Sequence, residues 1–461
     1  MANEKRGGGF RRFVVLIVLA GLVFVCLAAF RAGPAPSITA ASDLPGIGKR
    51  TAVRIGIEEP KRGLSEVRVE FVQGDKVQLL DSRSYVPIEP WAFWGERTTI
   101  EELLVEVGSE TLEEIKEGPA QIRVVAERAG AWLRSPQPAV FVLDLPVKLR
   151  PPSLQVLSTA TYVTQGGCEA VVYRVGESSI RDGVRAGGWW FPGFPMPGSD
   201  SQSRFALFAA PYDMEDDGAI ELVAFDDVGN RAGASFVDSF TRRPFKTDTI
   251  RISDDFMARV VPAILAQTPE IRERGSLLES YLAINGELRS KNTETVVALA
   301  KASVEEFLWS RAFVTMRNAK VMSDFADRRT YMYEGRAVDQ QDHLGFDLAS
   351  TRMAEIPAAN DGLVVLARYF GIYGNAVIID HGYGLMSLYG HLSSIAVEKG
   401  QRVESGEPVG RSGATGLAGG DHLHFTMLLQ GLPVNSKEWW DGHWIRDRLA
   451  LKLGAALPFE Q

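Results

Sequence analysis

His343-Leu-Gly-Phe-Asp347 and His422-Leu-His-Phe425 decide the fold and the chemistry of the C-terminal part of this chain. On a β-strand, side chains two or four positions apart share one face, so each segment can present two polar groups together. A helix also places positions i and i+4 on one face. The glycine, β-branched and aromatic residues around both segments favour strands. We therefore predict strands that carry a cluster of polar side chains.

The histidines of the chain are concentrated around these segments. There are six histidines, and all of them follow residue 342. Any one of them alone would more simply be a hydrogen-bonded structural residue. A catalytic zinc ion, however, needs three nitrogen or carboxylate ligands and one open position, and it lowers the pKa of a bound water to roughly 7. Two histidines and an aspartate can supply that set, and the remaining histidines can act in proton transfer.

In this region the sequence resembles the lysostaphin/LytM-type zinc metallopeptidases. The resemblance covers residues 336–445, about a quarter of the chain, and it implies an antiparallel-β peptidase domain of the lysostaphin-like duplicated hybrid motif. The ordered landmarks of that family are here HLGFDLA (343–349), PAANDG (357–362), YGNAVIIDHG (373–382), LYGHL (388–392), VEKGQRV (397–403), VGRSGATG (409–416) and HLHF (422–425).

The resemblance also implies a role for each polar residue of the predicted site. His343, Asp347 and His424 correspond to the ligands of one Zn²⁺ ion. His391 and His422 correspond to the catalytic pair that orients and deprotonates water and stabilises the oxyanion. The implied reaction is hydrolysis of peptide stems or cross-links of peptidoglycan by a zinc metalloendopeptidase.

Two residues depart from the family pattern. Asp421 stands where proline usually precedes the HxH motif, and Thr426 stands where glutamate usually follows the phenylalanine. Asp421 either hydrogen-bonds a site histidine, which would raise its basicity, or faces solvent. We expect His381 to be structural, and His443 to pack or cap the C-terminal segment.

The remainder of the chain predicts a mostly β, multidomain protein. Its 461 residues are too many for one hydrophobic core. Residues 45–148 and 150–243 contain short strand-like segments separated by turn residues, and both blocks resemble immunoglobulin-like β-sandwiches. The two blocks also resemble each other, because Ile122–Ala126 aligns with Ile220–Ala224. The predicted strands are 52–57, 66–72, 121–126, 170–175, 205–208 and 220–225.

The N-terminus predicts a membrane helix. Residues 13–30 contain no charged side chain, and 18 helical residues reach roughly 27 Å, close to the thickness of the hydrocarbon core of a bilayer. Lys5, Arg6, Arg11 and Arg12 precede this run, so we expect residues 1–31 to form a cytoplasmic tip and a single-pass anchor. A cleaved signal peptide is the alternative. In both cases the bulk of the chain lies outside the cytoplasm, on the periplasm or cell-wall side.

Two further segments have open interpretations. Residues 250–330 predict short helices, with N-caps at Ser253 and Ser276 and apolar residues at helical spacing over 295–308. This segment is a spacer, a lid over the site or a docking surface. The aromatic run 189–197 either packs against a neighbouring domain or exposes a stacking surface for sugars or a partner.

Charge and cysteine content restrict the remaining functions. The formal net charge of −8 argues against nucleic acid as a partner. Cys26 and Cys168 are far apart, which argues against a disulfide framework. The family resemblance implies peptidoglycan as the substrate. The N-terminal apolar run predicts the membrane as an attachment site, and an envelope protein is a candidate partner. The alternative is a non-catalytic envelope scaffold that activates other cell-wall hydrolases.

Overall fold

The computed structural model describes residues 7–30, 34–92, 94–131, 136–457 and 459–460. The chain divides into two compact units. Unit 1 comprises residues 1–152 and 225–231, and unit 2 comprises residues 153–224 and 232–461. Lys5 and Arg6, which belong to the predicted basic flank of the anchor, lie outside the described residues.

The N-terminal apolar run forms one helix, α1 (Gly7–Phe30). Its segment Gly9–Leu27 is long and apolar enough to cross a membrane, and its side chains are not buried within the protein. Cys26 is exposed on this helix. A membrane anchor and a signal sequence both fit these properties.

Unit 1 contains two antiparallel sheets around one apolar core. The sheets have the strand orders β1-β2-β5 and β4-β3-β6-β7. Ile55 and Val105 from the first sheet and Val69 and Val124 from the second are buried in that core. The strands are β1 (Ser37–Ser42), β2 (Thr51–Glu58), β3 (Leu64–Gln73), β4 (Lys76–Ser84), β5 (Ile100–Val107), β6 (Gln121–Arg128) and β7 (Ala139–Asp144).

The second predicted block contains two four-stranded sheets, with the orders β13-β14-β10-β8 and β12-β11-β15-β16. All six segments predicted as strands in the two blocks are strands. The strands are β8 (Leu154–Val156), β9 (Tyr162–Thr164), β10 (Cys168–Val175), β11 (Arg181–Ala186), β12 (Trp189–Pro192), β13 (Phe194–Pro195), β14 (Ser203–Ala209), β15 (Ile220–Phe225), β16 (Arg231–Ala234), β17 (Ser239–Thr241) and β18 (Thr247–Arg251). The immunoglobulin-like assignment and the domain boundaries stay predictions.

The aromatic run 189–197 is largely packed. Phe191 is fully buried, and the ring of Phe194 lies edge-on to Tyr383, with 4.8 Å between centroids. The apolar core of this block continues into the C-terminal sheet, because its buried residues form one cluster with residues such as Phe425. The packing interpretation therefore accounts for most of this run.

The helices between the two β regions begin where the sequence predicts. Ser253 caps α2 (Asp254–Leu265) through the Phe256 N–H, and Ser276 forms a capping box at α3 (Leu277–Ala283). A π-helical turn (Ile284–Leu288) joins α3 to α4 (Arg289–Ala300).

The prediction of helix over 295–308 is wrong beyond Ala300. There the chain leaves the helix to pair with the C-terminal sheet. The Ser303 hydroxyl donates to Asp380, and the Leu308 N–H donates to the His381 carbonyl. These contacts replace the helical hydrogen bonds that the sequence pattern suggests.

The C-terminal region is built on one antiparallel sheet with the order β19-β22-β30-β26-β25-β24-β28, to which β31 is added beside β30. Two three-stranded sheets flank it, β18-β20-β21 and β23-β29-β27. The strands are β19 (Lys320–Ser323), β20 (Asp327–Tyr333), β21 (Arg336–His343), β22 (Phe346–Ala349), β23 (Glu355–Pro357), β24 (Gly362–Tyr369), β25 (Asn375–Gly382), β26 (Leu385–Leu392), β27 (Ser394–Ile395), β28 (Arg402–Val403), β29 (Pro408–Arg411), β30 (Leu423–Leu429) and β31 (Leu432–Val434). Short helices follow at α5 (Ser436–Trp440), α6 (Gly442–Ile445) and α7 (Leu451–Leu453).

The buried carboxyl group of Glu438, on α5, should make the free energy of unfolding depend on pH. Burial raises the pKa of Glu438 to about 8, against the lowering effect of the Cys168 N–H, which donates to its carboxylate at 2.7 Å. Because the folded-state pKa exceeds the unfolded value of 4.5, the folded state binds the proton more tightly. Its stability therefore falls as pH rises from about 4.5 to about 8.

Glu438→Gln removes this titration. We expect the variant to match the wild type at pH 5 and to exceed its free energy of unfolding at pH 8.5 by roughly 1–3 kcal/mol. Urea denaturation at both pH values measures the difference, with Glu294→Gln as the exposed control. An equal decline of wild type and Glu438→Gln between these pH values would contradict the assignment.

Candidate metal centre

Three neighbouring strands bring four of the five predicted site residues together, and the fifth, His343, is the last residue of β21. Asp347 on β22 lies directly opposite His424 on β30. Gly390 on β26 lies opposite His424 from the other side, and His391 is the next residue on that strand. His422 precedes His424 by two positions and so shares its face. The pairing thus explains how residues up to 77 positions apart meet at one point.

His343, Asp347 and His424 form a compact cluster. His343 Nε2 lies 2.8 Å from Asp347 Oδ1, and His424 Nδ1 lies 3.1 Å from the same oxygen. The two ring nitrogens are 3.1 Å apart. One ligand atom from each residue lies within 4.8 Å of the others, as is required of a set that holds a single metal ion.

The ring nitrogens that point away from the cluster show whether the two histidines could bind zinc. His343 Nδ1 donates to the Asp324 carbonyl at 3.0 Å, which leaves the Nε2 lone pair facing the cluster. His424 Nε2 lies 3.1 Å from the Thr426 hydroxyl, which itself donates to the Leu344 carbonyl. The hydroxyl therefore accepts from His424, and the Nδ1 lone pair faces the cluster. Zinc-binding histidines are held in this way, so the donor set fits the metal.

Glycine is required at position 345, between the first two ligands. A Cβ atom there would lie 2.7 Å from the imidazole ring of His424 and 2.5 Å from the Thr426 hydroxyl. Thr426, which departs from the family pattern, thus contacts the predicted ligand His424 directly.

Arg329 is a functional candidate that sequence reasoning missed. Its Nη2 donates to Asp347 Oδ2 at 2.8 Å, while Asp347 Oδ1 faces the two histidines. Both side chains are mostly buried, with exposed fractions of 18% and 13%. Arg329 lies on β20, which pairs with β21, the strand that ends in His343. No local motif marks this residue, and only the strand pairing identifies it.

His391 and His422 lie beside the cluster, with 4.9 Å between their ring centroids. His391 Nδ1 donates to the Thr415 carbonyl at 2.8 Å. His422 Nδ1 donates to the Gly420 carbonyl at 2.8 Å, and its Nε2 lies 3.5 Å from Asp347 Oδ1. His391 has a φ of 64°, which is unusual for a residue with a side chain. Such conformations concentrate at functional sites.

The electrostatics favour metal-binding protonation states. Burial lowers the pKa of His424 to about 4, and burial together with His422 and His424 lowers the pKa of His391 well below its usual value. Burial alone would raise the pKa of Asp347, but the interactions with His343, His422 and His424 hold it well below its usual range. Neutral imidazole and ionised carboxylate are the forms that bind zinc.

The other singled-out residues lie outside the cluster. His381 is fully buried and hydrogen-bonded through both ring nitrogens, to the Asp361 carbonyl and the Ser387 hydroxyl. His443 is exposed in the first turn of α6. Asp421 accepts hydrogen bonds from Ser412 Oγ and the Met353 N–H, so it links two loops next to the site.

The cluster opens into a cavity of about 400 Å³. The helical segment and the sheet β18-β20-β21 form one side of it, with side chains that include Phe256, Tyr281, Arg289 and Tyr331. Residues 250–330 therefore belong to the walls of the site as well as preceding it. Whether they act as a lid stays a prediction.

Comparison with protein-family models places a peptidase domain in this region. Residues 341–436 match the model described as Peptidase family M23, so this part of the chain is an M23 peptidase domain. The predicted resemblance is thereby confirmed. Arg329 and Arg289 precede the matched residues.

Two individual proteins show sequence similarity to part of the chain. The chain is 32% identical over 170 residues to the Peptidoglycan DD-endopeptidase ShyA of Vibrio cholerae, a match that covers 37% of this chain and 36% of that protein. It is 37% identical over 95 residues to the Murein hydrolase activator EnvC of Escherichia coli, covering 21% and 23%. The matches thus span about a third or less of the length of these relatives.

A solved structure described as a putative peptidase M23 from Pseudomonas aeruginosa aligns with 60% of this chain and 95% of its own. The sequence identity is 19% and the TM-score is 0.36. A score this low carries no information on function.

Proposed function

We propose that this protein is a zinc metalloendopeptidase that hydrolyses peptide cross-links or stems of peptidoglycan. The observation that supports this most is the buried His343–Asp347–His424 cluster, in which the distal ring nitrogens are already hydrogen-bonded. The relative named as a peptidoglycan DD-endopeptidase supports the substrate class.

In this proposal His343, Asp347 and His424 hold one Zn²⁺ ion. When bound, zinc supplies Lewis acidity and lowers the pKa of water to roughly 7. His391 and His422 then orient the water, accept its proton and stabilise the oxyanion through their Nε2 atoms, because their Nδ1 atoms are committed to backbone carbonyls. The partly buried ring of Tyr373 lies beside this site, with 5.5 Å between its centroid and that of His424.

Arg329 acts in this account as a positioning residue. Its hydrogen bond to Oδ2 fixes the carboxylate of Asp347 so that Oδ1 faces the metal. Loss of such a partner typically costs 10–100-fold in metal affinity.

Arg329→Gln should therefore weaken zinc affinity by about 10–100-fold, as measured by competition with a chromogenic chelator. Arg329→Lys keeps the charge but loses the planar guanidinium. Its zinc affinity should therefore lie between those of the wild type and Arg329→Gln. Arg317→Gln, at an exposed position, is the matched control. Unchanged zinc affinity in Arg329→Gln would exclude the positioning role.

The protein is proposed to act in the cell envelope. The apolar helix α1 supports a single-pass anchor, and a peptidoglycan substrate requires the remaining residues to lie outside the cytoplasm. The two β blocks, proposed as immunoglobulin-like sandwiches, would then serve as a stalk. Protease protection of intact spheroplasts tests this location, because residues after α1 should be cleaved from outside.

The competing function is an envelope scaffold that activates other hydrolases. The similarity to a protein named as a murein hydrolase activator favours it. The complete set of His343, Asp347 and His424 favours the enzyme, since a scaffold needs no ligands. Metal analysis of the purified protein separates the two: one tightly held zinc per chain supports the enzyme, and none supports the scaffold.

A further inference from the structure

The cavity at the metal centre is lined by an excess of positive charge. Three of the described lining residues are arginines, Arg251, Arg289 and Arg329, and Asp347 is the one carboxylate among them. Arg329 is paired with that carboxylate. The remaining arginines therefore make the cavity attractive to an anion, an effect that low-dielectric walls strengthen.

Arg289 is held in a fixed orientation toward this space. Its Nε donates to the Asn285 carbonyl at 3.0 Å, and its Nη2 donates to Asn285 Oδ1 at 2.7 Å. Asn285 is fully buried and is itself held by a 2.7 Å hydrogen bond from its Nδ2 to Asp339. It lies in the π-helical turn before α4, and such turns are frequent at functional sites.

The guanidinium of Arg289 still has N–H groups that can donate to a ligand. Among the described residues, no carboxylate lies within 4.0 Å of it, and its Nη1 has no hydrogen-bond partner. Asp339, which belongs to this network, already accepts hydrogen bonds from Asn285 and Gln341. A half-buried guanidinium that is fixed on one side and free on the other is well suited to a carboxylate, which it can bind through charge-assisted hydrogen bonds.

We propose that Arg289 is a specificity-determining residue that binds a free carboxylate of the peptide substrate. This inference rests on the proposed peptidase function and narrows its substrate class. The protein should prefer peptides with an ionised carboxylate near the scissile amide over the same peptides in which it is amidated. Uncharged bridges, such as those made of glycine alone, should be poor substrates.

The test compares two cross-linked stem peptides of one sequence, one with free carboxylates and one with all of them amidated. The zinc-loaded full chain should show a kcat/KM about 10–100-fold higher for the free acid, which is the usual strength of a charge-assisted hydrogen bond. Arg289→Gln should reduce this preference to about one. Arg289→Lys should retain part of it, and Arg317→Gln should retain all of it.

Two results would overturn the proposal. One is equal cleavage of both peptides by the wild type, a comparison that needs no variant and no assumption about folding. The other is full preference in a folded Arg289→Gln protein. If zinc-loaded wild type cleaves neither peptide, the proposed peptidase function fails instead. Calorimetric titration with both peptides then still tests Arg289, because equal binding of acid and amide would exclude a carboxylate site.

Discussion

Replacement of His424 or Asp347 should abolish both zinc binding and peptide hydrolysis. Each residue offers one of the three candidate ligand atoms that lie within 4.8 Å of one another. With two ligands left, the coordination that a catalytic zinc ion requires is lost. Metal content by mass spectrometry and peptide hydrolysis should therefore fall together to background.

The choice of variant matters at Asp347. Alanine would leave the mostly buried Arg329 without its partner, which costs stability by itself. Asp347→Asn keeps the shape and one hydrogen-bond acceptor while removing the charge, so it is the better variant. His443→Ala, at an exposed histidine away from the cluster, is the control and should keep both zinc and activity. A folded Asp347→Asn protein with full zinc content and activity would contradict the ligand assignment.

Replacement of His391 should separate metal binding from catalysis. His391 is not one of the three clustered ligands, yet its ring lies 5.7 Å from that of His424. Loss of a general acid or base typically lowers turnover by about 10²–10⁴-fold. We therefore expect kcat to fall by that factor while zinc content stays at one per chain.

Asparagine is the best replacement at position 391. The backbone there has a φ of 64°, a conformation that asparagine tolerates better than alanine does. His391→Asn thus removes the imidazole with little added strain. Loss of zinc together with activity in this variant would place His391 among the metal ligands, and unchanged kcat would remove it from the catalytic pair.

Local pattern was enough to predict the strands and the helix starts. Alternation of apolar and polar residues marked strands such as β3 and β6, because one face of each is buried. The caps at Ser253 and Ser276 were visible because they involve residues only three positions apart. The ligand set was visible for a similar reason, since each motif places its polar residues two or four positions apart.

Contacts between distant segments were not visible in the sequence. The end of α4 at Ala300 depends on hydrogen bonds to β25, which lies about 80 residues further along the chain. Arg329 reaches Asp347 because β20 pairs with both β18 and β21, and β18 runs parallel to β20 from a remote position. No local periodicity encodes such pairing. The arginines of the cavity therefore emerged only from the three-dimensional structure.

The central claim is zinc-dependent cleavage of wall peptides, and one measurement tests it most directly. Purified peptidoglycan is incubated with the zinc-loaded full chain or with Asp347→Asn, and the released fragments are identified by mass spectrometry. We predict new peptide ends from the wild type and none from the variant, and the fragment masses identify the bond that is cut. Equal release by the folded, zinc-free Asp347→Asn protein, or no release by the zinc-loaded wild type, would contradict the claim.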